Sequence, residues 1–63
     1  MNRIKAIRES KGLSQKQLAN IVSVSAPFLC DLEKGRRGAN PETWKKLADA
    51  LGVDVPDLME RVS

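Results

Sequence analysis

The side chains of this chain best suited to chemistry are cations, and they cluster. Lys34, Arg36 and Arg37 sit together around Gly35 and ahead of Gly38. Cations crowded this way suit a polyanion, and the phosphates of DNA are the natural partner. The alternative is a basic loop that serves only solubility. Catalysis finds less support. The sequence has no histidine and a single cysteine, Cys30, so the usual general base, a Cys/His dyad and the common zinc sites are all missing. The glycines form no phosphate-cradling loop. The chain is therefore expected not to be an enzyme and to need no metal and no cofactor. Cys30, with no cation beside it in sequence, reads as a small semi-buried packing residue rather than a redox sensor.

Charge is unevenly spread. Residues 1–46 hold ten Lys and Arg against four Asp and Glu, whereas residues 47–63 hold one Arg against four acids. The net charge of +3 thus conceals a basic front and an acidic rear, as suits a protein that meets a polyanion in one orientation. Ordinary solvated surface charge is the other reading. Phe28 and Trp44 are the only aromatics, which argues against a stacking platform for RNA or single strands. Trp44 is expected in packing. No stretch approaches the roughly 18 apolar residues of a membrane helix. Met1–Lys5 lacks the apolar core of a signal peptide. The expected setting is the cytoplasm, with no membrane partner and no small-molecule ligand.

Apolar spacing places these residues on helices. Ile4 and Ile7, Leu18 and Ile21, and Leu29 and Leu32 each lie one turn apart. Trp44, Leu47, Ala48 and Leu51 form a further stripe, as do Val55, Leu58, Met59 and Val62. No window alternates with period two for long, so strands are not expected. Gly12, Gly35 and Gly52 stop helices. Ser14 with Gln17 three residues on is a capping box. Ser25 caps the next helix, with Pro27 in its first turn, and Asn40-Pro41 and Asp54 open the last two. The pattern predicts five helices near 3–11, 15–22, 26–34, 41–51 and 55–61 in an all-α single domain over 1–63. Residues 14–35 then read as two short helices joined by a tight turn. That unit is the helix-turn-helix, whose second helix enters the DNA major groove.

The sequence resembles the Cro/repressor-type, or xenobiotic-response-element-like, helix-turn-helix regulators over about residues 3–60. The resemblance is carried by Leu13-Ser14-Gln15, Leu18-Ala19, Val24-Ser25, Leu29 and the run Leu32 to Arg37. Pro41 to Trp44, Leu47-Ala48 and Ala50 to Val53 continue it. It implies a compact five-helix, lambda-repressor-like domain found in transcriptional repressors, often of phage or mobile-element origin. It implies a structural ion pair between Arg8 and Glu33, and a close helix crossing at Ala19. Gln15, Ser25, Lys34, Arg36 and Arg37 are implied to face phosphates. Ala26, Pro27, Phe28 and Asp31 fall where bases are faced. Direct readout favours Arg or Lys on guanine and Asn or Gln on adenine, and none of these stands at those positions. Apolar contact with thymine methyls remains, together with a cytosine amino group for Asp31; otherwise Asp31 is an outward charge one turn from Lys34. Ser23 replaces the glycine that most such proteins carry in the turn, so strain is expected there.

The reading that results is a sequence-specific regulator, a repressor, acting on double-stranded DNA as a homodimer. Leftover apolar residues of the fifth helix, Val62 and Met59, are the expected dimer surface. A second reading uses the same fold as a protein-interaction module, antitoxin-like or regulator-modulating, with Ala26-Pro27-Phe28 as its contact surface.

Overall fold

A computed structural model describes residues 2–59, which form five helices: α1 (Ile4–Ser10), α2 (Gln15–Ile21), α3 (Ala26–Glu33), α4 (Pro41–Leu51) and α5 (Val55–Leu58). The expected starts hold. Ser14 Oγ accepts from the Gln17 N–H at 3.0 Å while Gln17 Oε1 accepts from the Ser14 N–H at 2.8 Å, completing the capping box. Ser25 Oγ accepts from the Phe28 N–H at 3.1 Å, and Asn40 Oδ1 from the Thr43 N–H at 2.8 Å. Each bond satisfies a donor that the helix itself leaves without a partner.

The first four helices share one ending. After each, one residue turns left-handed and two backward hydrogen bonds close the last turn. At α1 the left-handed residue is Gly12, and the Leu13 N–H reaches the Arg8 carbonyl at 3.1 Å. At α3 it is Gly35, and the Arg36 N–H reaches Asp31 at 2.9 Å. At α4 it is Gly52, and the Val53 N–H reaches Ala48 at 3.0 Å. At α2 the same place belongs to Ser23, with φ 60, and the Val24 N–H reaches Ala19 at 2.9 Å. The turn keeps the geometry a glycine would favour although it holds a serine.

The core comprises Ile4, Ile7, Leu18, Ala19, Val22, Leu29, Leu32, Leu47, Ala48, Leu51 and Leu58. α2 packs chiefly on α3, α4 on α5, and α1 reaches α4. Trp44 is half-buried against this core. Two sequence expectations need correction. Ile21 is 56% exposed, and Val22 takes its place inside. Leu18, Ala19 and Val22 define the inner face of α2, and at 3.6 residues per turn Ile21 lies about 100° away from its centre. The fifth helix was expected over 55–61, but it ends at Leu58. Met59 is extended (ψ 139) and bridges Asn2. The Arg3 N–H donates to the Leu58 carbonyl at 2.7 Å, drawing the chain out of helical geometry toward the start of α1. Met59 therefore belongs to no helix, and Val62 lies outside the described residues.

Asn2 is a tie that the sequence did not announce. Its Nδ2 donates to the Leu32 carbonyl at 2.7 Å, and its Oδ1 accepts from the Ile4 N–H at 3.2 Å. One short side chain thus fixes the start of α1 against the end of α3.

The serine in the turn makes a measurable difference. Left-handed geometry costs a non-glycine residue about 1–2 kcal/mol, against about 0.5–1 kcal/mol of extra chain entropy for glycine. Ser23→Gly is expected to stabilise the fold by about 0.5–1 kcal/mol, read as a thermal midpoint about 2–8 °C higher. The β-branched Ser23→Val should shift the midpoint the other way.

Candidate nucleic-acid interface

The interface is built on a buried ion pair. Arg8 Nε donates to Glu33 Oε2 at 2.7 Å and its Nη2 to Oε1 at 3.2 Å, a two-pronged contact between α1 and α3. Nη1 donates to the Leu13 carbonyl at 2.9 Å. The two side chains are 8% and 3% exposed. The hydrogen bond to Glu33, with its charge, raises the Arg8 pKa above the ordinary value despite burial. Gln15, the first residue of α2, joins through Nε2 to Glu33 Oε1 at 3.1 Å. Three helices therefore meet on one carboxylate, and no buried side-chain nitrogen or oxygen among the described residues lacks a partner.

A cleft of about 360 Å³ opens beside this junction, lined by Lys5, Arg8, Gln15, Cys30, Glu33 and Lys34. Its acid is held by Arg8, so Lys5 and Lys34 set its charge. Gln15 keeps one amide hydrogen beyond the bond to Glu33. Lys5 is the residue that sequence reasoning missed. Nothing in its local sequence marks it, and only the fold, which ties α1 to α3 through Arg8 and Glu33, brings it to the cleft with Gln15 and Lys34. Cys30, half-buried, lines the same cleft, with Lys34 one turn on along α3 and Lys5 contributed by α1.

The start of α3 carries the residues expected to face bases. Pro27 is exposed and Ala26 half-buried. The Phe28 ring is half-buried against the core, and the Arg37 guanidinium lies over it, 5.0 Å from the ring centroid. Asp31 is half-buried and forms no ion pair with Lys34 among the described residues. The Ser25 hydroxyl accepts from Phe28 and retains its own proton for an outside acceptor. Lys34, Arg36 and Arg37 are exposed at the other end of the helix and in the loop beyond. Ala19 is 1% exposed in α2, the helix that packs chiefly on α3. The structure thus gathers Gln15, Lys34 and Lys5 at one cleft, and Phe28 and Arg37 at one stack.

Comparison with known proteins agrees with this architecture. The helix-turn-helix family model HTH_3 matches residues 4–58. The HTH-type transcriptional regulator DdrOP3 of Deinococcus deserti is 40% identical over 60 residues, covering 95% of this chain and 46% of that protein. The immunity repressor protein of Bacillus phage phi105 is 42% identical over 53 residues, covering 84% of this chain and 37% of that protein. The crystal structure of SinR, a master regulator for biofilm formation, in complex with DNA superposes with a TM-score of 0.80 at 29% identity, covering 86% of this chain and 87% of that one. The chain spans less than half the length of these two curated relatives.

Breaking the buried pair from one side leaves the other charge without a partner. Arg8→Ala or Glu33→Ala is expected to cost about 3–5 kcal/mol in urea unfolding, enough to threaten folding in a domain this small. Arg8→Met with Glu33→Leu should cost far less than the two single changes added together.

Proposed function

The chain belongs to the helix-turn-helix family whose model spans residues 4–58, and from that membership we propose that it is a DNA-binding transcriptional regulator, a repressor that occupies its operator. The observation that carries the proposal is the charge of the face beside α3. Glu33 is neutralised by Arg8, which leaves Lys5, Lys34, Arg36 and Arg37 to act on an outside anion. In this reading α3 lies in the major groove. Gln15, Ser25, Lys34, Arg36 and Arg37 hold the backbone, and Lys5 joins them at the cleft. Ala26, Pro27 and Asp31 meet base edges with apolar contact and one acceptor, so discrimination is modest. The likeness to a phage immunity repressor and to a regulator solved on DNA supports the reading. The protein acts in the cytoplasm and binds as a homodimer on a two-fold site, with half-sites about 34 Å apart or a multiple of it. It performs no catalysis.

A titration of fluorescent duplexes, random and selected, at several salt concentrations tests the proposal. With two or three of these four cations on phosphates in each subunit, a dimer should give a log–log salt slope of about −4 to −5. Arg36→Glu with Arg37→Glu should abolish binding. Failure of the wild-type chain to bind any duplex at low salt rejects the proposal. Binding without sequence preference rejects repression at an operator while leaving the DNA interface standing.

A further inference from the structure

The end of α3 differs from the other left-handed helix ends in one respect. At α1, α2 and α4 the residue after the left-handed one is apolar: Leu13, Val24 and Val53 all pack against the core. Such a contact usually accompanies this closure and anchors the departing chain. At α3 that place holds Arg36, which is exposed. Beyond it, Arg37, Gly38 and Ala39 enter no backbone hydrogen bond among the described residues. The loop is next fixed at Ala39, which packs against the core, and at Asn40, the cap of α4.

Between these points, the contact that ties the loop to the start of α3 is the stack of Arg37 on Phe28. Phe28 is the rigid member. Its N–H is held by Ser25, Pro27 precedes it, and its ring is wedged against the core. Arg37 is the exposed member, on a chain that glycines loosen on both sides. A cation–π contact acts through the charge and the ring face, and it takes none of the guanidinium N–H donors.

Taking the DNA-binding reading as given, we infer that Phe28 is a positioning residue: its ring is the platform that holds the Arg37 guanidinium ready for a DNA phosphate. The ring meets a cation rather than a thymine methyl. Fixing Arg37 before binding removes part of the ordering that binding would otherwise require. An exposed stack of this kind corresponds to about 2- to 5-fold in affinity per subunit.

Salt titrations on short random-sequence duplexes test this with wild type, Phe28→Leu, Phe28→Tyr, Arg37→Ala and the Phe28→Leu/Arg37→Ala pair. Phe28→Leu is expected to weaken binding by about 2- to 5-fold per subunit and to flatten the salt slope by up to about 0.9 per subunit, as Arg37→Ala does. Phe28→Tyr should restore both, and the double variant should bind no worse than Arg37→Ala alone. A full slope in Phe28→Leu, or additive losses, overturns the inference. So does a change of base preference at an unchanged slope, which would mark Phe28 as a direct base contact. Because Phe28→Leu also touches the core, proton NMR of the free wild-type protein gives an independent check. The Arg37 δ-methylene protons should lie upfield of those of Arg36, and their absence from that position overturns the stack. Wild-type protein that binds no duplex rejects the DNA reading along with this one. Wild-type binding with an unaltered Phe28→Leu rejects this one alone.

Discussion

The mutual placement of α1, α2 and α3 depends on Glu33. Its carboxylate accepts from Arg8 on α1 and from Gln15 on α2 while it sits on the last turn of α3. A buried ion pair of this kind is a poor source of net stability, because the cost of removing two ions from water offsets most of their attraction. Its value here is geometric. Apolar side chains tolerate a small rotation of one helix on another, whereas a two-pronged arginine–carboxylate contact does not. With a core of eleven buried apolar residues among those described, five helices have little else to fix their mutual angles. Under the proposed function the pair also removes the one acid of the cleft from any repulsive role toward phosphate.

The helix ends divide along the same line between scaffold and function. Three of the four left-handed closures hand the chain to an apolar residue that returns to the core. The fourth hands it to Arg36 and leaves the loop open to solvent. Backbone chemistry is the same in all four, so the difference lies wholly in the side chain that follows. One substitution of an apolar anchor by an arginine converts a structural corner into a basic edge. The turn between α2 and α3 is the contrasting case. Ser23 keeps left-handed geometry that its side chain opposes, and the surrounding packing of Leu18, Ala19 and Val24 holds it there.

Legibility in the sequence followed the range of the interaction. Caps and left-handed stops are local, and Ser14, Ser25, Asn40, Gly12, Gly35 and Gly52 all stand where the residue types placed them. The family pattern supplied Arg8 with Glu33 and the small Ala19, which single-residue chemistry would not have paired across twenty-five positions. Three features escaped. Ile21 satisfied the helical spacing with Leu18 but lies on the wrong side of the α2 face, because spacings of three and four are indistinguishable until the rest of the stripe is known. Asn2 and Met59 close the two ends of the described chain by long-range contact, which shortens α5. Lys5 and Cys30 line one cleft only because the Arg8–Glu33 pair ties α1 to α3.

The composition of α3 sets how such an interface discriminates. Pro27 has no backbone donor, Ala26 ends at its β-carbon, and the Phe28 ring lies under Arg37. Asp31 is the sole charged group on the stretch expected to face bases, and its own carbonyl already accepts from the Arg36 N–H. Under the proposed function, hydrogen-bond donors therefore come from the periphery: Lys5, Gln15 and Lys34 at the cleft, Arg36 and Arg37 in the loop. Groups at the periphery meet phosphates, and phosphates report the width and curvature of the duplex rather than the identity of each base. Reading shape in this way demands that the spacing between the two sets of donors be fixed. The spacing runs from Gln15, through Glu33, along α3 to Phe28 and across to Arg37. Under the proposed function the Gln15–Glu33 hydrogen bond and α3 are the rigid links of that path, and the stack on Phe28 holds its one loose end, the exposed Arg37.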